Sequence, residues 1–242
     1  MNVIKKTAVA AALALAGATS FASTINVGGV NWDPDAPTDY SGQSVNMRQT
    51  INLADGTLSG FGILTAMNGT AQGTFCPGCE LTFQFGGFTP VGGQIIPGIG
   101  ATISYTGGWV KFYVDHSPEI ANPADYLALN SANTGDGNLW LSLANTGVFQ
   151  GTRVANSILS GLGFLDVTGG MAAGNFDTNT QEGGTDFTFS TSLTFRHPGS
   201  VSVSDMSGTG NLFGSSIPEP TSLALIGLGL LSAGVASRKR AK

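Results

Sequence analysis

The stretch DFTFSTSLTF (186–195) alternates without a break: Phe187, Phe189, Thr191, Leu193 and Phe195 fall on one side. Successive side chains of a β-strand point to opposite faces, so a period of two predicts a strand with one buried face. ELTFQF (80–85) repeats the pattern, with Leu81, Phe83 and Phe85 against Glu80, Thr82 and Gln84. ATISY (101–105), WVKFYV (109–114), LWLSL (139–143) and VSVS (201–204) are shorter examples. Turn signals separate them: ADG (54–56), MNG (67–69), TGG (106–108), TGDGN (134–138) and HPGS (197–200). Only PEIANPADYLALN (118–130) has room for a helical turn or two. Many short strands without helical crossovers predict an all-β fold, an antiparallel β-sandwich of jelly-roll type over residues 23–214.

An internal repeat supports this organisation. LSGFGILTAMNGTAQGTF (58–75) aligns without gaps to LSGLGFLDVTGGMAAGNF (159–176), with nine of eighteen positions identical, four of them glycine. Each copy reads as strand, turn and strand, followed by a variable connection into an alternating strand. The expectation is two equivalent hairpin units, one in each sheet.

The ends of the chain read differently. Lys5 and Lys6 precede a short apolar stretch from Thr7 to Gly17, and Ser20 and Ala22 place small residues where a signal peptidase checks them. Residues 1–22 are therefore expected to be a secretory signal peptide cut between Ala22 and Ser23. At the other end, Leu223 to Ala236 is a run of fourteen apolar or small residues. As a helix it would span about 21 Å, short of the roughly 30 Å of bilayer hydrocarbon. Arg238, Lys239 and Arg240 follow, placed to stay on the cytoplasmic side. Pro218-Glu219-Pro220 precedes the run; two prolines around a carboxylate hold the backbone extended.

This order of proline–glutamate–proline, apolar run and basic cluster resembles the PEP-CTERM sorting signal of Gram-negative bacteria. The resemblance covers residues 215–242 and implies recognition and removal of the tail by the membrane enzyme exosortase. It further implies export, transient insertion of the C-terminal helix in the inner membrane, and delivery to the cell surface or extracellular matrix. A plain tail anchor is the alternative reading.

Six of the ten basic residues lie in these two ends but only one of the fifteen acidic residues does. That leaves four basic and fourteen acidic residues in the body, a net charge near −10. Such a charge argues against nucleic acid or anionic lipid as partners. The body's length suffices for one buried core.

Within the body, Cys76-Pro77-Gly78-Cys79 has the spacing of a redox site but not its strand–helix context. Pro-Gly favours a tight turn, and an oxidising compartment predicts a structural disulfide. Two cysteines leave a zinc site unfilled. His116 follows Asp115, and adjacent strand residues face opposite sides, so they make a poor base–orienter pair. His197 reads as a turn residue. Asp115, Glu119 and Asp125 could supply a glycosidase pair, but no spacing selects them. No catalytic residue and no metal ligand is therefore assigned, and the chain is expected not to be an enzyme. Oxygen-rich turns make Ca²⁺ the one candidate ion: DPDAPTD (33–39), NTGDGN (133–138) and DTNTQEGGTD (177–186). Trp32, Trp109, Tyr113 and Trp140 are candidate sugar platforms or core residues.

TFCPGCELTFQFGGF (74–88), DGNLWLSL (136–143) and GFLDVTGGMAAGNFDTN (163–179) also resemble a flocculation-associated group of PEP-CTERM proteins. That resemblance implies a structural or adhesive role in exopolysaccharide-dependent aggregation, with extracellular polysaccharide as partner. A secreted carbohydrate-binding module and a secreted hydrolase are the rival functions.

Overall fold

The alternating segments are antiparallel strands, and they close into a barrel instead of stacking as two sheets. The computed structural model describes residues 24–93, 95–120, 122, 125, 128–195 and 205–217. The signal peptide with its Ala22–Ser23 cut, VSVS, His197 and the tail from Pro218 lie outside the described residues. Residues 24–217 form one compact unit.

The strands in chain order are β1 (Ile25–Val27), β2 (Val30–Trp32), β3 (Tyr40–Ile51), β4 (Leu58–Ile63), β5 (Ala66–Met67), β6 (Thr70–Ala71) and β7 (Glu80–Pro90), then β8 (Thr102–Thr106), β9 (Trp109–Asp115), β10 (Asn138–Ala155), β11 (Ile158–Gly169), β12 (Phe187–Phe195) and β13 (Met206–Gly214). Among the described residues there are also two short helical turns, α1 (Gln72–Phe75) and α2 (Ala173–Phe176), and a 3₁₀ turn at Glu182–Gly184.

Closure comes from β13, which pairs with β3 from Met206 opposite Gln49 to Gly214 opposite Tyr40. The ring then runs β3, β4, β7, β8 with β9, β10, β11, β12, β13. β8 and β9 fill one place between them. Both are antiparallel to β7 and to β10, β9 over one half of their length and β8 over the other. Gly107 and Gly108, with φ of 66° and 100°, join the two pieces. A side chain on Gly108 would meet the Phe88 ring at 2.4 Å, so only glycine allows this close approach.

The expected sandwich fails for a physical reason. A sandwich and a barrel place the same alternating pattern on a strand, because each has one buried face. They differ in whether the first and last strands pair, which no local pattern encodes. Full closure removes the two exposed edges that an open sheet would present.

A ring of eight strands leaves an interior just wide enough for side chains. Here the fit is made by placing phenylalanine against glycine. Gly62 pairs with Phe83 and Gly60 with Phe85, and each ring covers its partner's bare backbone. Across the barrel, Phe149 lies over Gly161 and Gly163 of β11, and Met47 and Phe189 lie over Gly210 of β13. Leu81, Val110, Phe112, Leu141, Leu143, Leu165 and Leu193 fill the rest of the same buried cluster.

β4 and β11 carry the two copies of the sequence repeat, and they stand four places apart in the ring of eight. Both belong to one closed sheet, so the placement of one unit in each of two sheets does not hold. α1 and α2 fall at matching repeat positions, and each ends in a buried phenylalanine, Phe75 and Phe176.

An aromatic cluster packs Trp32 of the β1–β2 hairpin against Phe176 and Trp140, at ring separations of 5.0 and 5.8 Å. Tyr40 and Phe187 join it through Phe176. The Trp140 indole donates to the Val27 carbonyl at 3.0 Å, tying the hairpin to β10.

Candidate functional site

The segment between β9 and β10 lies over the outer face of β4 and β7. Outward-pointing residues of those strands hold it. The Thr82 hydroxyl donates to the Thr134 carbonyl at 3.1 Å, and Gln84 Nε2 donates to the Ser131 carbonyl at 2.8 Å. Ile120 and Leu129 from this segment bury Ile63, with Phe61 packed alongside, forming a second small core outside the barrel. Within PEIANPADYLALN, Asp125 N donates to the Asn122 carbonyl and Ala128 N to the Asp125 carbonyl, both bonds of the kind that close a single turn.

Glu80 is fully buried beneath this strap. One carboxylate oxygen accepts from Ile120 N at 3.3 Å; the other has no hydrogen-bond partner. Loss of solvation pushes its pKa above the ordinary glutamate range, and the nearby Asp115 and Asp136 carboxylates add to the rise. The backbone amides of Ile120 and Glu119 oppose it.

At the edge of the strap a groove of about 370 Å³ opens on the outer barrel face. Phe61, Gln84 and Trp109 line it together with the backbone of Gly60 and Gly86, and the Trp109 ring lies against Gly86. Strand register sets this arrangement: Phe61 pairs with Gln84, Gln84 with Lys111, and Gly86 with Trp109. The Lys111 ammonium sits 5.1 Å from the Trp109 ring centre, and the Arg48 guanidinium sits 5.8 Å from that of Phe61. Arg48 is also paired with Asp205 at 2.9 Å. No carboxylate lines the groove among the described residues.

The sequence candidates fare unevenly. Cys76 and Cys79 are joined in a disulfide across the Pro77-Gly78 turn, where Gly78 takes a φ of 74°. Trp32 and Trp140 are 3% and 0% exposed and belong to the core, so they are not platforms. Trp109 is 36% exposed and Tyr113 is half-buried. Asp115 accepts from Ser117 N, closing the turn that carries exposed His116. Several side-chain oxygens of the oxygen-rich turns accept hydrogen bonds from within their own turn or from elsewhere in the protein. Asp33 accepts from Asp35 N, Asn133 from Asn130 N, and Asp39 from both groups of Ser216. Asp186 accepts from Thr178 N, Asn179 N and Val167 N. No group of three or more His, Cys, Asp or Glu among the described residues is placed to hold a metal ion. No helix among the described residues is long and apolar enough to cross a membrane.

Phe61, Gln84 and Lys111 were not singled out from the sequence. Their outward parity was legible in LSGFGI, ELTFQF and WVKFYV, but the order of those strands in the sheet was not.

Comparison with known proteins adds one finding. Residues 216–240 match the PEP-CTERM protein-sorting motif. The chain thus carries a PEP-CTERM sorting signal, the mark of an exported, membrane-transiting protein that exosortase processes. Pro218, Glu219, Pro220, Arg238, Lys239 and Arg240 all fall inside the match. No curated protein and no solved structure matches the chain.

Proposed function

We propose that this is a surface or extracellular-matrix protein whose barrel has a structural or adhesive role in exopolysaccharide-dependent aggregation. The observation that carries the reading is the sorting motif at 216–240, which begins two residues after the last barrel strand ends at Gly214. A closed barrel with a packed interior suits a durable module in an external matrix. Its disulfide fits an oxidising compartment. The reading assigns no catalytic step. In its support, Asp115 is engaged in its own turn and the Glu80 carboxylate lies buried under the strap.

Deletion of the gene, followed by measurement of cell aggregation, tests the proposal. Aggregation is expected to fall, and to return with the full chain but not with a chain stopped after Ile217. Unchanged aggregation in the deletion strain would remove the adhesive role.

A further inference from the structure

We infer that the groove lined by Phe61 and Trp109 binds a carboxylated pyranose, a uronate unit of an acidic polysaccharide. The inference rests on the matrix reading above and gives it a ligand class. Three observations carry it.

The first is shape. Phe61 and Trp109 both line the groove, whose volume of about 370 Å³ admits a sugar ring against them. Aromatic walls with few convergent polar groups are the usual make-up of a small-ligand site. Trp109 is the one tryptophan with substantial exposure; the other two are buried.

The second is charge. The body carries fourteen acidic residues against four basic ones, yet no described acid lines this groove. Of the described cations, Arg48 is paired with Asp205, and Arg153 donates to the carbonyls of Pro97, Ala155 and Asn156. Lys111 alone has neither an ion pair nor a hydrogen bond among the described residues. Its ammonium lies 5.1 Å from the centre of the Trp109 ring, which lines the groove. A positioned, unneutralised ammonium next to an acid-free groove favours a carboxylate ligand. Charges elsewhere on the body are screened beyond about 8 Å at physiological ionic strength.

The third is hydrogen bonding. Gln84 is fixed by its Nε2 bonds to Ser131 and Thr134, leaving Oε1 as an acceptor for a sugar hydroxyl. Ser59 and Thr50 add hydroxyls at the rim.

The test uses the processed protein purified from the culture, with oligogalacturonate as probe and a neutral galactose oligomer as comparator. Binding is read by calorimetry and by protection of tryptophan fluorescence from a soluble quencher, which reaches Trp109 far more readily than Trp32 or Trp140. Oligogalacturonate is expected to bind and protect, and the neutral oligomer to bind at least tenfold more weakly. Lys111→Gln should lower affinity about tenfold or more, and Lys111→Arg should restore most of it. Because Trp109 also covers Gly86 and Gly87, Trp109→Phe is the safer aromatic variant and should weaken binding while the protein stays folded. Equal binding of both oligomers, or wild-type affinity in Lys111→Gln, would overturn the assignment. So would no binding of either. Lys111→Gln should be exported and cut like the wild type, so a failed groove leaves the matrix reading standing.

Discussion

Glu80 and Asp186 occupy corresponding places in the two halves of the barrel, and only Asp186 has both carboxylate oxygens satisfied. Each acid lies two residues before a threonine, Thr82 or Thr188, that pairs with a matching repeat position, Ile63 or Phe164. Asp186 accepts three backbone N–H bonds of 2.7–2.8 Å. Glu80 keeps one oxygen buried without a partner. A carboxyl whose pKa is raised by burial holds its proton longer in the folded chain than in the unfolded one. Its contribution is therefore most favourable below the ordinary glutamate range and is lost as pH rises through the raised value.

Glu80→Gln should relieve that cost. The amide still leaves one polar atom there without a partner, so what is recovered at neutral pH is the extra cost of burying the charged form. At neutral pH the variant is expected to melt about 2–4 °C higher for each kcal/mol recovered. The gain should shrink as pH falls toward about 4, where the wild-type carboxyl is protonated. Thermal melts across that range check it; a gain independent of pH would mean that Glu80 is not the titrating group.

The glycine–phenylalanine pairs predict a specific pattern of coupling. A side chain at Gly62 would meet the Phe83 ring at 2.3 Å. Gly62→Ala should destabilise by about 1–3 kcal/mol through overpacking, and Phe83→Leu should recover part of the loss in the double variant. At Gly60 the added carbon would meet both the Phe85 ring and the Arg48 carbonyl, and the latter is backbone. Phe85→Leu should therefore not rescue Gly60→Ala. Chemical denaturation of the four single and two double variants decides this, and equal rescue at both sites would refute the packing account.

Much of this barrel was legible in the residues. Alternation in 80–85 and 186–195 correctly set which side chains face inward, because a half-buried strand has no other way to segregate its faces. β3 was not, since YSGQSVNMRQTI carries polar residues on the inward face, Gln49 among them. Closure of β13 on β3 joins residues more than 150 positions apart and leaves no local trace. The groove followed the same rule. Its members were visible one strand at a time, but only the pairing of Phe61 with Gln84 and of Gln84 with Lys111 brings them together. The sorting motif was fully legible because it is a linear run of residues that needs no partner from elsewhere in the fold.

The Cys76–Cys79 disulfide should contribute modestly. It closes a tiny loop, for which chain entropy alone gives about 2 kcal/mol. Cys76→Ser with Cys79→Ser is expected to lower the melting temperature by several degrees without preventing folding. Intact-mass measurement of the secreted protein should show no free thiols, and two free thiols would refute an oxidised pair in the exported form.

The acidic body predicts a response to cations. With a net charge near −10, copies of the body repel one another. Millimolar calcium or magnesium should screen that repulsion and strengthen self-association. Sedimentation across a calcium series with an EDTA control measures the effect, and identical profiles throughout would sink the idea.

The sorting signal makes the sharpest prediction. Replacing Pro218-Glu219-Pro220 with alanines removes the carboxylate and restores helix propensity, so the charge and the proline restraint on the backbone are both lost. The apolar run from Leu223 to Ala236 is untouched and should still insert. The variant should therefore collect in the inner membrane as a slightly larger species, while the wild type is cut and released or held at the surface. Removing Arg238, Lys239 and Arg240 should act differently, by weakening the charge bias that fixes the orientation of the tail. A plain tail anchor predicts that wild type and alanine variant fractionate alike, both uncut. Mass spectrometry of the C-terminal peptide separates the two mechanisms: an intact SRKRAK end (237–242) on the mature wild-type protein would show that the tail is an anchor and not a processed signal.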